Sequence, residues 1–345
     1  MLSSPILYSF SLLLSFSLIY LFAPQILPLQ NPQSHLFDEL DDLTLFKKAL
    51  KPCKTISHLA TSNPTPKIAF LFLTNSDLSF APLWERFLKG YNNLYNIYVH
   101  ADPFSEVSNP GGIFKNQFIP GKKTERGSPS LISAEKRLLA RAILDDPFNL
   151  YFALVSQHCV PLYSFQYMYN TVFGHNILKA LTTQSRHRSF IEILSKDPNL
   201  PDRYNARGEN AMLPEIPFEK FRVGSQFFVL AKRHALLVLK DRKIWRKFKL
   251  PCLNIESCYP EEHYFPTLLS MKDRRGCSQY TLTNVNWTDS FDGHPHLYQA
   301  EEVSPSLIYT LRQSNSSYSY LFARKFAPDC LHPLMEMADD VIFKD

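Results

Sequence analysis

The sequence predicts an α/β fold in which helices flank a mostly parallel sheet. Two continuous apolar runs, Lys67–Leu73 and Leu150–Gln157, have the composition of strands that are buried on both faces. Helical spacing of apolar residues lies between them, at Phe80–Leu88 and Ile132–Asp146. Strands that alternate with helices in this way are typical of α/β proteins with parallel strands.

The elements follow one another in a regular order. Tyr95–Asp102 reads as a second strand, so the first strand, the helix at Phe80–Leu88 and this strand form a βαβ unit with a right-handed crossover. Three later elements are predicted: a helix at Phe165–Phe173, a strand at Gly224–Leu230 and a helix at Arg233–Phe248. The polar stretch Thr183–Pro217 is predicted to be a long loop that faces the substrate.

An uncharged N-terminal segment predicts a membrane anchor. Ile6–Phe22 contains seventeen residues without a charge, close to the roughly 20 that a helix needs to cross a bilayer. We expect a cytoplasmic tail at 1–5, a signal anchor at 6–23, a stem at 24–65 and a lumenal globular domain at 66–345. A cleaved signal peptide is the alternative interpretation, which the lack of a basic region before the segment disfavours.

Within the predicted stem, Phe37–Leu50 has the spacing of one short helix.

The cysteines and two sequons also indicate the secretory pathway. The six cysteines contain no Cys-x-x-Cys pair, which disfavours zinc and favours disulfides. Cys252, Cys258 and Cys277 are close enough in sequence for one local bridge, and Asn286 and Asn315 begin glycosylation sequons.

Charge and motifs exclude some classes of function. The net charge of +5 is too small to indicate nucleic-acid binding. The sequence contains no Walker loop, no Gly-x-Gly-x-x-Gly turn and no Asp-x-Asp pair that could hold a divalent ion against a nucleotide diphosphate. A diphosphate would therefore need side-chain cations, and Arg324 and Lys325 in FARKF are the candidates. The alternative is that this segment is the basic edge of a surface helix.

Polar residues directly follow two predicted strands. Thr74 follows the first strand, and Asp102 ends the second. Ligands of open α/β sheets bind beyond the carboxyl ends of the strands, so both side chains are candidates for contact with a nucleoside. Asp102 could equally cap the loop before Pro103.

The stretch SCYPEEHYFPTLLS presents two adjacent acids, Glu261 and Glu262, after Pro260. Proline followed by acids is typical of the first turn of a helix, because the acids complement the helix dipole. An acid at that position can still point into a cleft and act as a general base. The local sequence leaves both interpretations open.

Taken together, several motifs resemble those of a known family. They are KIAFLFLT, YVHADP, GSPSLISAEKRLLARAILDD, FALVSQHCVPLY, MLPEIP, RVGSQFFVL, CYPEEHYFPTLL and LFARKF, in that order. The chain resembles the plant branch of the core-2/I-branching β-1,6-N-acetylglucosaminyltransferases, which are similar to glycosyltransferase family 14, over about residues 66–330. The resemblance implies a GT-A-like fold, a UDP-sugar as the donor, inversion at the anomeric carbon and no bound metal.

The resemblance also assigns roles to residues. It implies that Glu262 is the catalytic base, that Lys325 binds the diphosphate and that Asp102 contacts the nucleoside. Arg324 and Thr74 are further candidates on the side of the sugar donor. Glu261, His263 and Gln226 are candidates on the acceptor side.

The expected enzyme is a single-pass type II Golgi membrane protein that glycosylates a glycan or glycoprotein and uses no cofactor. UDP-N-acetylglucosamine and UDP-glucuronic acid both remain possible sugar donors. Two departures from the family pattern favour an alternative, an inactive glycan-binding or scaffolding member of the same fold. His294–Val303 has no Arg or Lys where animal members have an Arg, and Gln157 and His158 replace a Ser-Glu pair.

Overall fold

The computed structural model describes residues 32–51, 65–174, 187–288, 290 and 293–345. The predicted anchor at 6–23 lies outside the described residues, as do residues 24–31 and 52–64 of the predicted stem. Within the described part of the chain, no helix combines the length and the apolar character needed to cross a membrane.

Helix α1 (Pro32–Ala49) confirms the short helix predicted within the stem. The chain divides into two compact units between Thr44 and Leu45. Phe46 and Ala49, which belong to the second unit, are buried in its hydrophobic core. The core of the globular unit therefore begins earlier than residue 66, where the sequence placed its start.

The described strands form a sheet of six and a sheet of three. Their bounds are β1 (Lys67–Thr74), β2 (Tyr95–Ala101), β3 (Asn149–Ser156), β4 (Val160–Pro161), β5 (Ser189–Glu192), β6 (Val229–Ala231), β7 (Cys277–Gln279), β8 (Thr283–Val285) and β9 (Phe322–Arg324).

The larger sheet is mixed, with the strand order β2-β1-β3-β6-β5-β7. Strand β1 pairs in parallel with β2 and β3, and β5 pairs in parallel with β7, as a mostly parallel sheet requires. Strand β6, however, is antiparallel to β3 and β5. Its three residues are all buried, and a fully apolar strand carries no sequence signal of its direction. In the smaller sheet, β9 pairs with β4 and β8.

The described helices after α1 surround these sheets. They are α2 (Ala81–Leu88), α3 (Pro129–Asp145), α4 (Phe165–Phe173), α5 (Leu200–Asn205), α6 (Lys232–Lys240), α7 (Lys243–Phe248), α8 (Tyr264–Asp273), α9 (Pro305–Arg312) and α10 (Leu331–Glu336).

Three sequence predictions about these elements need correction. The strand expected at Gly224–Leu230 is β6, which covers only Val229–Ala231. The single helix expected at Arg233–Phe248 is divided into α6 and α7, because the Asp241 carboxylate accepts hydrogen bonds from the N–H groups of Ile244 and Trp245 and thus caps a new helix. The predicted loop at Thr183–Pro217, which is described from residue 187, contains β5 and α5. Both elements are too short to produce a periodic pattern.

Local chemistry explains where the long helices begin. Ser128 caps α3 by accepting a hydrogen bond from the N–H of Ser130, and Pro129 occupies the first helical position. Ser164 caps α4 in the same way through Tyr167. Helix α2 packs on the sheet through Trp84, whose ring meets those of Phe70 and Phe72 edge-on at 5.4 and 5.1 Å between centroids. These contacts fix α2 against β1.

Candidate active site

The two adjacent acids lie on one turn of 3₁₀ helix, Pro260–Glu262, which we call the acid turn. Tyr259 precedes it with a φ of +32°, and α8 begins directly after His263. A disulfide joins Cys252 to Cys258 and closes the loop before the turn. The predicted local bridge is therefore confirmed, and Cys277 is a buried free thiol.

Glu262 lies at the open side of this turn. Its carboxylate forms an ion pair with Arg203 of α5, with Oε2 2.7 Å from Nη1. The side chains of Glu262 and Arg203 retain 25% and 19% exposure, so solvent and a ligand can reach both. The ion pair fixes the position of the carboxylate at the open side of the turn, where a general base could meet an acceptor hydroxyl.

His263 was expected on the acceptor side, but the structure buries its imidazole completely. The ring stacks on Phe221, Nδ1 donates to the carbonyl of Arg222 at 2.8 Å, and Nε2 accepts from Arg203 at 3.4 Å. Burial lowers the pKa of His263 to about 3, so the imidazole is neutral. Its role is to hold Arg203 in place, because it has no exposed surface for an acceptor.

Glu261, the other acid, points to the interior and is 4% exposed. Its Oε1 accepts a hydrogen bond of 3.0 Å from the N–H of Gly127, whereas Oε2 has no hydrogen-bond partner among the described residues. Burial raises the pKa of Glu261 to about 7, and the charge of Glu262 adds to the rise. Two neighbours in sequence therefore have opposite environments.

Gln226, also expected on the acceptor side, is half-buried and binds a further acid. Its Nε2 donates to Oε1 of Glu135 at 2.7 Å. Glu135, on α3, is completely buried, and burial raises its pKa well above the ordinary value. The charge of Glu261 adds to that rise, so the two buried carboxyl groups interact.

Of the predicted cations, Arg324 is the last residue of strand β9 and Lys325 directly follows it. The Arg324 guanidinium lies over the Phe227 ring, 4.4 Å from its centroid. Burial lowers the pKa of Arg324, whereas the negative charge of Glu262 acts in the opposite direction. The basic segment and the acid turn, about 60 residues apart in sequence, are thus within electrostatic range of each other.

A third cation, Arg126, comes from the loop before α3. Burial lowers the pKa of Lys325, and the positive charges of Arg324 and then Arg126 lower it further. The Nη1 and Nη2 atoms of Arg126 donate to Nε2 of His294 at 2.7 Å and to the carbonyl of Gly293 at 2.6 Å. The stretch that lacks its own Arg or Lys is therefore next to an arginine from elsewhere in the chain.

We call Arg126, Arg324 and Lys325 the basic cluster. Among the described residues, no carboxylate forms an ion pair with any of the three. Like charges that repel one another without direct counter-ions are stabilised when an anion binds between them. The cluster is therefore suited to binding an anion such as a diphosphate.

Tyr259 links the acid turn to the cluster. Its ring lies between two guanidinium groups, 5.3 Å from that of Arg203 and 5.8 Å from that of Arg126. Each distance is within the range of a cation–π interaction. The tyrosine therefore helps to fix the spacing between the base side and the cation side of the site.

The strand-end residues lie beside each other, as predicted: the N–H of Asp102 donates to the carbonyl of Thr74 at 3.0 Å. The Asp102 carboxylate accepts from the N–H of Phe104 at 2.8 Å and from the N–H and hydroxyl of Thr124 at 2.7 Å each. These bonds lower its pKa although burial acts in the opposite direction. They favour the capping interpretation, and contact with a nucleoside stays a prediction.

The two residues after β3 make one contact with the end of β1 and one with the basic segment. Gln157 donates to Asn75 at 2.8 Å, and Nδ1 of His158 lies 2.9 Å from the carbonyl of Phe326. Burial lowers the pKa of His158, which favours a neutral ring that donates from Nδ1. Gln157 and His158, the two residues that depart from the family pattern, therefore contact the residues next to the candidate site.

A close approach of backbones positions the acid turn. The N–H of Gly224 donates to the carbonyl of Glu262 at 2.9 Å. A Cβ atom on Gly224 would lie 2.1 Å from the carbonyl oxygen of Glu192, so only glycine fits there. Glu192 is a further acid near the base, and burial followed by the charge of Glu262 raises its pKa.

The two sequons differ in exposure. Asn315 is exposed, whereas Asn286 is half-buried and its side-chain oxygen accepts from the N–H of Thr288 at 2.9 Å. Their glycosylation stays a prediction.

Arg126 and Arg203 were not predicted from the sequence, because an isolated arginine in a polar stretch has no periodic or motif signal.

The mixed α/β fold, with a central sheet flanked by helices, is consistent with that of a glycosyltransferase, the class of enzyme that transfers a sugar from a donor to an acceptor. The chain belongs to the core-2/I-branching enzyme family, whose model matches residues 68–312. Glycosyltransferase BC10 of rice, Oryza sativa subsp. japonica, is 28% identical to this chain over 311 residues, which cover 75% of this chain and 73% of the relative. The family resemblance inferred from the sequence is confirmed.

Proposed function

We propose that this protein is an inverting, metal-independent transferase that moves a sugar from a UDP-sugar to a hydroxyl group of a glycan. The observation that carries the proposal is the arrangement of Glu262, partly exposed and ion-paired, within electrostatic range of a basic cluster that has no direct counter-ions. The absence of an Asp-x-Asp pair from the sequence supports a role for side-chain cations in place of a metal.

Each part of the site has a role in the reaction. Glu262 takes the proton of the acceptor hydroxyl, whose oxygen forms a bond to the anomeric carbon of the sugar. The bond between that carbon and the diphosphate oxygen breaks, and UDP leaves with the electron pair. Lys325, Arg324 and Arg126 stabilise the negative charge that develops on the diphosphate. Attack from the face opposite the leaving group inverts the configuration.

The position of Arg203 fits this mechanism. Arg203 fixes the position of the Glu262 carboxylate through their ion pair, and the neutral imidazole of His263 contacts the Arg203 guanidinium. A general base of this kind contributes roughly 10²–10⁴-fold to the rate. We therefore assign Glu262 as the catalytic base and Arg203 as a positioning residue.

The proposed location is the Golgi membrane, with the globular unit in the lumen. The disulfide between Cys252 and Cys258 supports an oxidising compartment, and the predicted anchor and sequons agree with it. UDP-N-acetylglucosamine and UDP-glucuronic acid are the sugar donors to compare. A glucuronate carboxylate would need an additional cation, and Arg222 already donates to the carbonyls of Glu219 and Phe221. Arg222 keeps its positive charge in these contacts, so both UDP-sugars remain candidates.

The full-length protein in detergent, assayed with both UDP-sugars and a panel of plant glycans in excess EDTA, tests the proposal. We expect acceptor-dependent release of UDP with one sugar donor, and loss of this release in Glu262→Gln. If EDTA abolishes the release, the metal-independent mechanism is wrong. If neither UDP-sugar binds, the protein is a glycan-binding or scaffolding member of the family.

A further inference from the structure

A buried carboxyl pair lies directly behind the acid turn and has no part in the proposed reaction. Glu135 and Glu261 are 0% and 4% exposed. Each has one oxygen that accepts a hydrogen bond, from Gln226 and Gly127 respectively, and one oxygen without a partner among the described residues. Burying two carboxyl groups so close to each other is unfavourable unless at least one holds a proton.

The hydrogen bond from Gly127 connects this pair to the basic cluster. Gly127 directly follows Arg126, so the Glu261 carboxylate is hydrogen-bonded to the loop that carries Arg126. Glu261 also directly precedes Glu262 on the acid turn. One side chain thus joins the loop of the cation side to the turn of the base side.

The groups that face Glu261 come from four elements. Glu262 lies on its own turn, Arg126 on the loop before α3, Glu135 on α3 itself, and Arg207 follows α5. The Arg207 guanidinium is buried over the Phe248 ring, 5.1 Å from its centroid, and none of its nitrogen atoms has a hydrogen-bond partner among the described residues. Its positive charge offsets that of an ionised Glu261 without a direct bond.

We propose that Glu261 is a positioning residue that ties loop 126–127 to the acid turn, and that its charge governs how firmly Arg126 is held in the basic cluster. An ionised Glu261 makes a charge-assisted hydrogen bond to Gly127 and attracts Arg126. A protonated Glu261 keeps only a neutral, weaker bond. The inference rests on the proposed function, because it takes the basic cluster as the diphosphate site.

The pH dependence follows from the pKa of about 7 at Glu261. Below that pH the acid is protonated and resembles glutamine, and above it the acid is ionised and holds the loop. Burial raises the pKa of Glu135 well above its ordinary value, which favours the protonated form of this second acid. The effect of replacing Glu261 should therefore grow as the pH rises through about 7.

The dissociation constant of UDP, measured by calorimetry on the full-length protein in EDTA, tests the inference. We expect Glu261→Gln to weaken UDP binding about fivefold at high pH, the size of a typical coupling between neighbours, and to have no effect at low pH. Simple removal of a negative charge near an anion site has the opposite sign, because it tightens binding. Tighter binding by Glu261→Gln would therefore overturn the proposal.

Three further variants separate positioning from general electrostatics. In an Arg126→Gln background, Glu261→Gln should have no additional effect, and an undiminished effect contradicts the proposal. Glu125→Gln removes an exposed charge beside Arg126 and should not weaken UDP binding. Glu135→Gln imitates a protonated acid and should leave the affinity for UDP within about twofold of the wild type.

Amide hydrogen exchange provides a result that does not depend on UDP. The N–H of Gly127 should exchange faster in Glu261→Gln than in the wild type at pH 8, because the charge-assisted bond is lost. Unchanged exchange would overturn the positioning role, whatever UDP does. If exchange is faster but the wild type does not bind UDP, the tie exists and the proposed diphosphate site is wrong.

Discussion

The two sides of the acid turn show how differently one fold can treat two adjacent glutamates. Glu262 faces the open side, with an exposed, ion-paired carboxylate, and Glu261 faces the core, with a carboxyl group whose pKa is raised to about 7. The chemistry of each side chain is set by what surrounds it and not by its position in the motif. Enzymes separate a base from a proton-holding acid in the same way.

The largest effect should come from replacing the catalytic base, compared with replacing the acid beside it. Glu262→Gln should reduce acceptor-dependent UDP release by roughly 10²–10⁴-fold, because the base is lost. Glu261→Gln, the matched control, should lose much less, since it removes no group that touches the reacting atoms. Initial rates at saturating sugar donor measure both. Equal losses in the two variants would contradict the division of roles.

Replacing a cation of the basic cluster should lower the affinity for UDP. Lys325→Ala should weaken UDP binding by roughly 10–100-fold, the value of one hydrogen bond to a charged group. Lys89→Ala, an exposed lysine after α2, is the control and should leave the affinity unchanged. Both dissociation constants can be measured by calorimetry at two salt concentrations. A Lys325→Ala protein that binds UDP as the wild type does would remove Lys325 from the diphosphate site.

Removal of the disulfide before the acid turn should lower the stability of the protein. Cys252 and Cys258 are separated by six positions, and replacing both by Ser should lower the free energy of unfolding by about 2 kcal/mol through the loop that the bridge closes. Denaturant titration of the wild type and the double variant measures the difference. Reduced wild type should match the variant, and no difference between oxidised and reduced protein would show that the bridge does not constrain this loop.

The smallest effect should come from Glu261, on the core side of the acid turn, and should appear in the pH dependence of stability. Because folding raises the pKa of Glu261 from 4.5 to about 7, its stabilising contribution is complete below pH 4.5 and is lost as the pH rises through about 7. Glu261→Gln should remove this dependence, which we expect to appear as a difference of about 3 °C in the change of Tm between pH 5 and pH 8. Parallel Tm curves for variant and wild type would contradict the raised pKa.

The same two sides show what the sequence could reveal. Strands β1, β2 and β3 and the acid turn were predictable because each lies in one continuous segment with its own apolar or charged pattern. Arg126 and Arg203 were not, because they reach the site from separate loops and only the fold brings them to Tyr259. Asp102 was predicted with two possible roles, and its hydrogen bonds to Phe104 and Thr124 are visible only in three dimensions.

A structure of the protein with UDP, determined in the presence of EDTA, is the most direct test of the proposed diphosphate site. We expect diphosphate oxygens within hydrogen-bond distance of Lys325, Arg324 and Arg126. We also expect the Glu262 carboxylate to remain paired with Arg203 on the opposite side of the position that the sugar would occupy. A diphosphate bound away from these three cations, or one that binds only with a divalent ion, would contradict the proposed mechanism.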